Sequence, residues 1–181
     1  MTEVENNLVK MHTDFFIRCE YAIQNGYYLE AILMEYAAIE SRLESVCGVL
    51  GLPCGQRCRC RKDVKISTRI ECLRAYRNKN RNIFSKSKLP NHFFTDKGEL
   101  RNWIRERDIR VHGLYKDGAA FHDKIGKNEE LAKQGYEYAK LLYNEVKRLR
   151  RIKVNHGDLL NEAAACCKKG IKCCAYDGDQ L

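Results

Sequence analysis

Apolar residues along this chain recur at steps of three and four, and no segment alternates apolar and polar positions in the manner of a strand. Leu8, Met11, Phe15, Cys19 and Ala22 mark one face of a first helix. Thr2 and Glu5 open it with capping-box spacing, and Asn25-Gly26 closes it. Leu29, Ile32, Leu33, Tyr36, Leu43, Val46, Cys47 and Leu50 form the stripe of a second helix beginning near Tyr27. So short a linker makes these two neighbouring and antiparallel. Gly51 to Val64 reads as a loop rich in Cys and Arg, after which Thr68 with Glu71 opens a third helix reaching about Asn80. A loop carrying "SKSKLPNHFF" follows, and Thr95 or Asp96 with Glu99 starts a fourth helix ending at His112. A fifth runs from about Glu129 to Lys153, with Asn128 as its cap and acidic residues in its first turn. The pattern predicts an all-α antiparallel bundle of about five long helices over residues 1–153, with no internal repeat, and a short Cys-rich tail over 154–181.

Composition narrows the class without changing the architecture. The 181 residues are 44% hydrophobic and 31% charged, a globular rather than disordered balance. No apolar run approaches the length of a spanning helix, so no membrane partner is expected. The opening "MTEVENNL" is acidic where an export signal is basic and then apolar, which points to the cytoplasm. In that compartment the ten cysteines read as free thiols rather than a disulfide framework. Cys54, Cys58, Cys60 and Cys72 could gather round zinc, and so could Cys166, Cys167, Cys173 and Cys174. Neither group has the usual zinc-knuckle spacing, and no metal or other cofactor is assigned.

Charge is more informative. The net charge is +9, and the stretch Arg57 to Arg81 holds ten basic residues against Asp63 and Glu71. "KRLRRIK", Lys147 to Lys153, is a second basic cluster. Concentrated cation of this kind suits a polyanion, against the plainer alternative of solvated helix faces. RNA is the expected partner, with Arg69, Arg74, Arg77, Arg81 and Arg110 as candidate contacts.

The fourth helix carries the candidate chemistry. Leu100 and Ile104 mark its inward face, and the next position on that face is Arg107. Asp108 and His112 stand four apart, as direct neighbours on a helix. A carboxylate beside an imidazole orients the ring and favours its protonated form, and a helix C-terminus does the same. Gly113 is placed to end the helix in the left-handed conformation. Arg107 adds a forked cation matched to phosphate oxygens. The plainer alternative is a surface Asp–His pair beside an arginine whose stem lies along the core. A second Arg-x4-His, Arg151 to His156, has no acid one turn before its histidine and lies where the last long helix runs out.

"RDIRVHGLY", on the penultimate long helix, resembles the R-x4-6-H signature of the HEPN superfamily, in which a polar residue usually follows the Arg; Asp108 fills that place. The upstream "GYYLEAILMEYAAIESRLESV" is similar to the helices that precede the motif in such proteins, and the resemblance spans roughly Thr2 to Lys153. Some members carry a Tyr two residues past the His; here Leu114 stands there and Tyr115 follows. The resemblance implies a HEPN-like bundle and metal-independent RNA cleavage at a homodimer cleft, with Arg107, Asp108 and His112 catalytic. It also implies a toxin–antitoxin or antiphage role, with an antitoxin or regulatory partner. Two alternatives stay open: a non-catalytic helical module that binds RNA or a partner protein, and a zinc-dependent adaptor built on the cysteine loop.

Overall fold

A computed structural model describes residues 3–52, 64–116 and 125–155. They form five helices, α1 Glu3–Gln24, α2 Tyr28–Val49, α3 Ile66–Lys79, α4 Glu99–Lys116 and α5 Ile125–Asn155, with no strand among the described residues. The protein is all-α, as the apolar periodicity requires. No described helix is long and apolar enough to cross a membrane.

The first two helices end by one mechanism. Gly26 takes φ 78°, its N–H donates to Ile23 O, and the Tyr27 N–H reaches back to Ala22 O. This left-handed cap satisfies carbonyls that the helix end leaves open, and a Cβ would strain it. Gly51, at φ 66°, repeats the arrangement after α2, with the Leu52 N–H donating to Cys47 O and the Leu52 side chain buried.

Elsewhere the boundaries differ from those expected. α3 begins at Ile66, ahead of Thr68, and its N-cap Lys65 makes no side-chain capping bond. α4 begins at Glu99 because the preceding residues are taken up by turns, with Thr95 N–H donating to His92 O and Gly98 N–H to Thr95 O. It does not end at His112. The helix runs through Gly113 to Lys116, a glycine inside a helix costing only about 1 kcal/mol. Asn128 is not a cap either: α5 starts at Ile125, and Asn128 lies buried inside it, where its Oδ1 accepts from Arg110 at 3.0 Å.

The helices divide between two compact units, Met1–Ile39 with Asn102–Lys140 and Glu40–Arg101 with Leu141–Leu181. In the first, Cys19, Ala22, Ala31, Ile32, Ile39, Trp103, Leu131, Ala132 and Ala139 are buried. Trp103 Nε1 donates to the Leu131 carbonyl at 2.8 Å, so the indole is both packed and satisfied. In the second, Leu43 and Val46 of α2 and Leu50 just after it are buried with Ile70, Leu73 and Tyr76 of α3 and Leu142, Val146 and Leu149 of α5. Phe84, Phe93 and Phe94, from the turns between α3 and α4, join that core. Glu145, buried, receives Arg148 in a two-pronged ion pair, Nε to Oε2 at 2.9 Å and NH2 to Oε1 at 2.6 Å. The third prong of Arg148 donates to Ile83 O. A fork-on-fork pair of this kind keeps both charges compensated inside the core.

Gly135 of α5 decides the interior of the first unit. A Cβ there would overlap Glu35 Oε2 and lie 2.5 Å from the Trp103 ring. Replacing Gly135 with alanine should therefore destabilise the protein by up to about 2 kcal/mol net, an overpacking cost of roughly 1–3 kcal/mol set against a helix-propensity gain of about 1 kcal/mol. Thermal melts of the variant should shift down. An upward shift would show that the helix has room to spare at this position.

Candidate functional site

The inward face of α4 runs through Leu100, Trp103, Arg107 and Arg110, and changes along its length from apolar to cationic. Leu100 and Trp103 are fully buried. The Arg107 side chain is 17% exposed, and its guanidinium carbon sits 4.0 Å from the centroid of the Tyr36 ring. That is close stacking of a cation on an aromatic face, which holds the guanidinium plane in place. Arg107 NH1 donates to Asp108 Oδ1 at 2.8 Å, while its buried Nε–H has no partner.

His112 does not pair with Asp108. The imidazole is exposed and makes no hydrogen bond or ion pair with any described residue, and the Asp108 carboxylate is committed to Arg107. Both props expected to act on His112 have changed, since α4 runs another turn beyond it. Arg107 and His112 are five positions apart, roughly 140° around the helix and about 7.5 Å along it. One leans inward over Tyr36 and the other faces solvent. Ile109, also exposed, lies one turn before His112 on the same side of α4.

Beside Tyr36 in sequence stands Glu35, fully buried, with neither carboxylate oxygen hydrogen-bonded. Burial pushes its pKa up to about 9, so at neutral pH the group is a protonated acid. Cys19, also buried, is pushed up to about 12 by burial and then by the negative charge Glu35 acquires at high pH. Sequence periodicity gave no warning of Glu35, which occupies an apolar face of α2 between Ile32 and Ile39. Tyr36 was legible only as one more residue of the apolar stripe.

The candidate RNA contacts part company. Arg69 is not on the surface: its guanidinium is almost wholly buried between Glu40 at 3.6 Å and Glu44 at 3.3 Å. Arg74 is half-buried and paired with Asp96. Arg110, largely buried, is held by Asn128 and by Glu106 at 3.6 Å. Among the described residues, only Arg77 and Arg81 of these candidates have no carboxylate within ion-pairing distance. The basic stretch is consequently less cationic at its surface than its sequence, because acids distant in the chain neutralise half of its helical part.

Of the cysteines, Cys19, Cys47 and Cys72 are buried and form no disulfide among the described residues. Cys54, Cys58, Cys60 and the C-terminal pairs lie outside the described residues, as does His156. No group of three metal-ligating side chains comes together among the described residues. Compared with known protein families, with curated proteins and with solved structures, the chain matches none.

Proposed function

We propose that this chain is a metal-independent endoribonuclease of HEPN type that cleaves RNA at a cleft shared by two copies. The observation that supports the reading most directly is the state of Arg107, stacked on Tyr36 and paired with Asp108, on the helix that also carries an exposed His112. A positioned guanidinium is the group that stabilises charge building on a phosphate, and a solvent-facing imidazole is the group that moves protons near neutral pH. In the proposed reaction a ribose 2′-oxygen attacks the adjacent phosphorus and loses its proton to one imidazole. The bond to the 5′-oxygen breaks, and that oxygen takes a proton from a second imidazole. The products are a 2′,3′-cyclic phosphate and a 5′-hydroxyl. Two imidazoles are needed, and one chain offers one His112. A second copy provides the other, which also removes the difficulty that Arg107 and His112 diverge around a single helix.

A toxin or antiphage role, regulated by a partner protein, belongs to the same proposal and follows from the resemblance of "RDIRVHGLY". The second reading, a non-catalytic helical module for RNA or a protein partner, draws on five large apolar side chains left exposed: Ile17, Tyr21, Tyr27, Leu33 and Ile109.

Incubating the purified chain with single-stranded RNA in excess EDTA separates the two. Cleavage should persist in chelator and leave cyclic phosphate ends, and a strand with 2′-deoxyribose at the cut site should survive. Inert RNA, or cutting that EDTA abolishes, would remove the proposal and leave the binding module.

A further inference from the structure

The C-terminal end of α3 and the turns after it enclose a cleft of about 390 Å³ that the proposed chemistry does not use. Arg77, Asn78, Arg81, Ser85, Ser87 and Asn91 line it, and no carboxylate of the described residues does. The segment from Arg77 to Asn91, "RNKNRNIFSKSKLPN", contains five basic residues and no acidic one. Arg69 and Arg74, earlier on the same helix, are spent on Glu40, Glu44 and Asp96.

Arg77 is held in the cleft wall by neutral acceptors. NH1 donates to Pro90 O at 2.8 Å and NH2 to Leu89 O at 3.1 Å, and the guanidinium lies 5.6 Å from the Phe84 centroid. Carbonyls fix the orientation of a guanidinium without cancelling its charge. Burial, with Arg148 adding to it and Glu145 opposing, lowers the pKa of Arg77, a sign that its cation is poorly solvated where it stands. Glu145 is itself gripped by Arg148. Arg81 is exposed at the rim and has no hydrogen-bond or ion-pair partner among the described residues. The Ser87 hydroxyl accepts from the Leu89 N–H, which leaves its own proton to donate. The cleft therefore combines one fixed guanidinium, one exposed guanidinium and a hydroxyl donor around a space with no competing anion among the described residues. Those are the donors that phosphate oxygens take.

We infer that this cleft is a phosphate-binding subsite for one nucleotide unit, with Arg77 and Arg81 gripping the phosphate and the amides of Asn78 and Asn91 beside it. The choice of a nucleotide rests on the ribonuclease reading; the phosphate chemistry rests on the cleft itself. The cleft's volume lies in the ordinary range of small-molecule sites, which leaves room beside a phosphate for the rest of a nucleotide unit.

The test uses the full chain carrying His112→Ala, so that RNA stays intact, and a fluorescein-labelled single-stranded RNA 10-mer read by anisotropy. Adding Arg81→Glu should weaken binding tenfold or more and flatten the salt dependence by at least one phosphate's worth, a slope change of about 0.7 on logarithmic axes. Arg18→Glu, the same charge change at another exposed position, should alter binding less than threefold. AMP should displace the 10-mer where adenosine does not, if free nucleotides are taken; displacement by a second RNA but not by AMP assigns the subsite to a strand. Both results support the cleft. Equal losses for Arg81→Glu and Arg18→Glu, or no loss for either, overturn it. The two proposals fail separately: RNA cutting in EDTA without Arg81-dependent binding sinks only the subsite, and Arg81-dependent binding without any cutting sinks only the nuclease.

Discussion

Replacing His112 with alanine should lower the rate of RNA cleavage about a thousandfold or more and leave the melting temperature unchanged. The imidazole is exposed and contacts no described residue through a hydrogen bond or ion pair, so its loss opens no cavity and orphans no partner. Any drop in rate then reports chemistry. General acid–base catalysis by one positioned group is worth roughly 10²–10⁴-fold, and the substitution removes the group from both copies of the proposed shared cleft. Arg107→Ala should be at least as damaging to rate but is a less clean experiment. It also removes the stack on Tyr36 and strands Asp108, so a fall in stability accompanies it. Arg107→Lys separates the contributions: it keeps the charge and loses the fork, and should recover stability better than rate. Whether the cleft is shared is answered by mixing chains. An Arg107→Ala/His112→Ala chain allowed to exchange with wild type should give mixed dimers with almost no activity. Half activity in isolated mixed dimers would point to two independent sites, and full activity in a monomer would remove the second copy from the mechanism.

Glu35 should make the protein lose stability as pH rises. Its folded pKa of about 9 lies above the ordinary carboxylate value of 4.5. Below about pH 4.5 the group is protonated in both the folded and unfolded chain and contributes no difference. Between there and pH 9 the unfolded chain gives up the proton and the folded chain keeps it, so unfolding is increasingly favoured. Each pH unit is worth about 1.4 kcal/mol in the limit, so from pH 5 to pH 8 a loss on the order of 2–4 kcal/mol is expected. Urea unfolding of wild type and Glu35→Gln at both pH values checks it. The variant should lack most of the slope, and Glu35→Leu should exceed wild type in stability at pH 8, since a buried acid without a partner is replaced by an apolar side chain. Parallel slopes for wild type and Glu35→Gln would contradict the buried, protonated state. A group this expensive to bury, one position from the tyrosine that supports Arg107, is the kind of local strain that functional sites retain.

How far these features were legible beforehand depends on the range of the interaction. The helices were visible because amphipathic periodicity is a local property: each turn of α1 and α2 declares its buried side within a few residues. The turn at Gly26 was equally plain, since Asn-Gly after a periodic run leaves the backbone few alternatives. Arg107 was placed correctly on the inward face of α4 by the same counting, and the spacing to His112 already showed that one helix could not bring the two together.

Helix ends and charge partners were decided elsewhere. Gly113 and Asn128 have the residue types of a helix stop and a helix cap, yet both lie inside helices. Local preferences at these positions amount to about 1 kcal/mol, and burial of Asn128 against Arg110 is enough to override them. The ring beneath Arg107 comes from α2, the acids that absorb Arg69 come from α2, and the carbonyls that hold Arg77 come from the turns before α4. No periodicity encodes such pairings, because a cation's partner is whatever the folded chain delivers within a few ångströms. The sequence by itself determined that this protein is helical, basic, and built with an arginine turned inward ahead of a histidine. The tertiary structure alone decided which of its cations remain uncompensated and that Glu35 is sealed from water, since desolvation and ion pairing are set by distances between segments far apart in the chain.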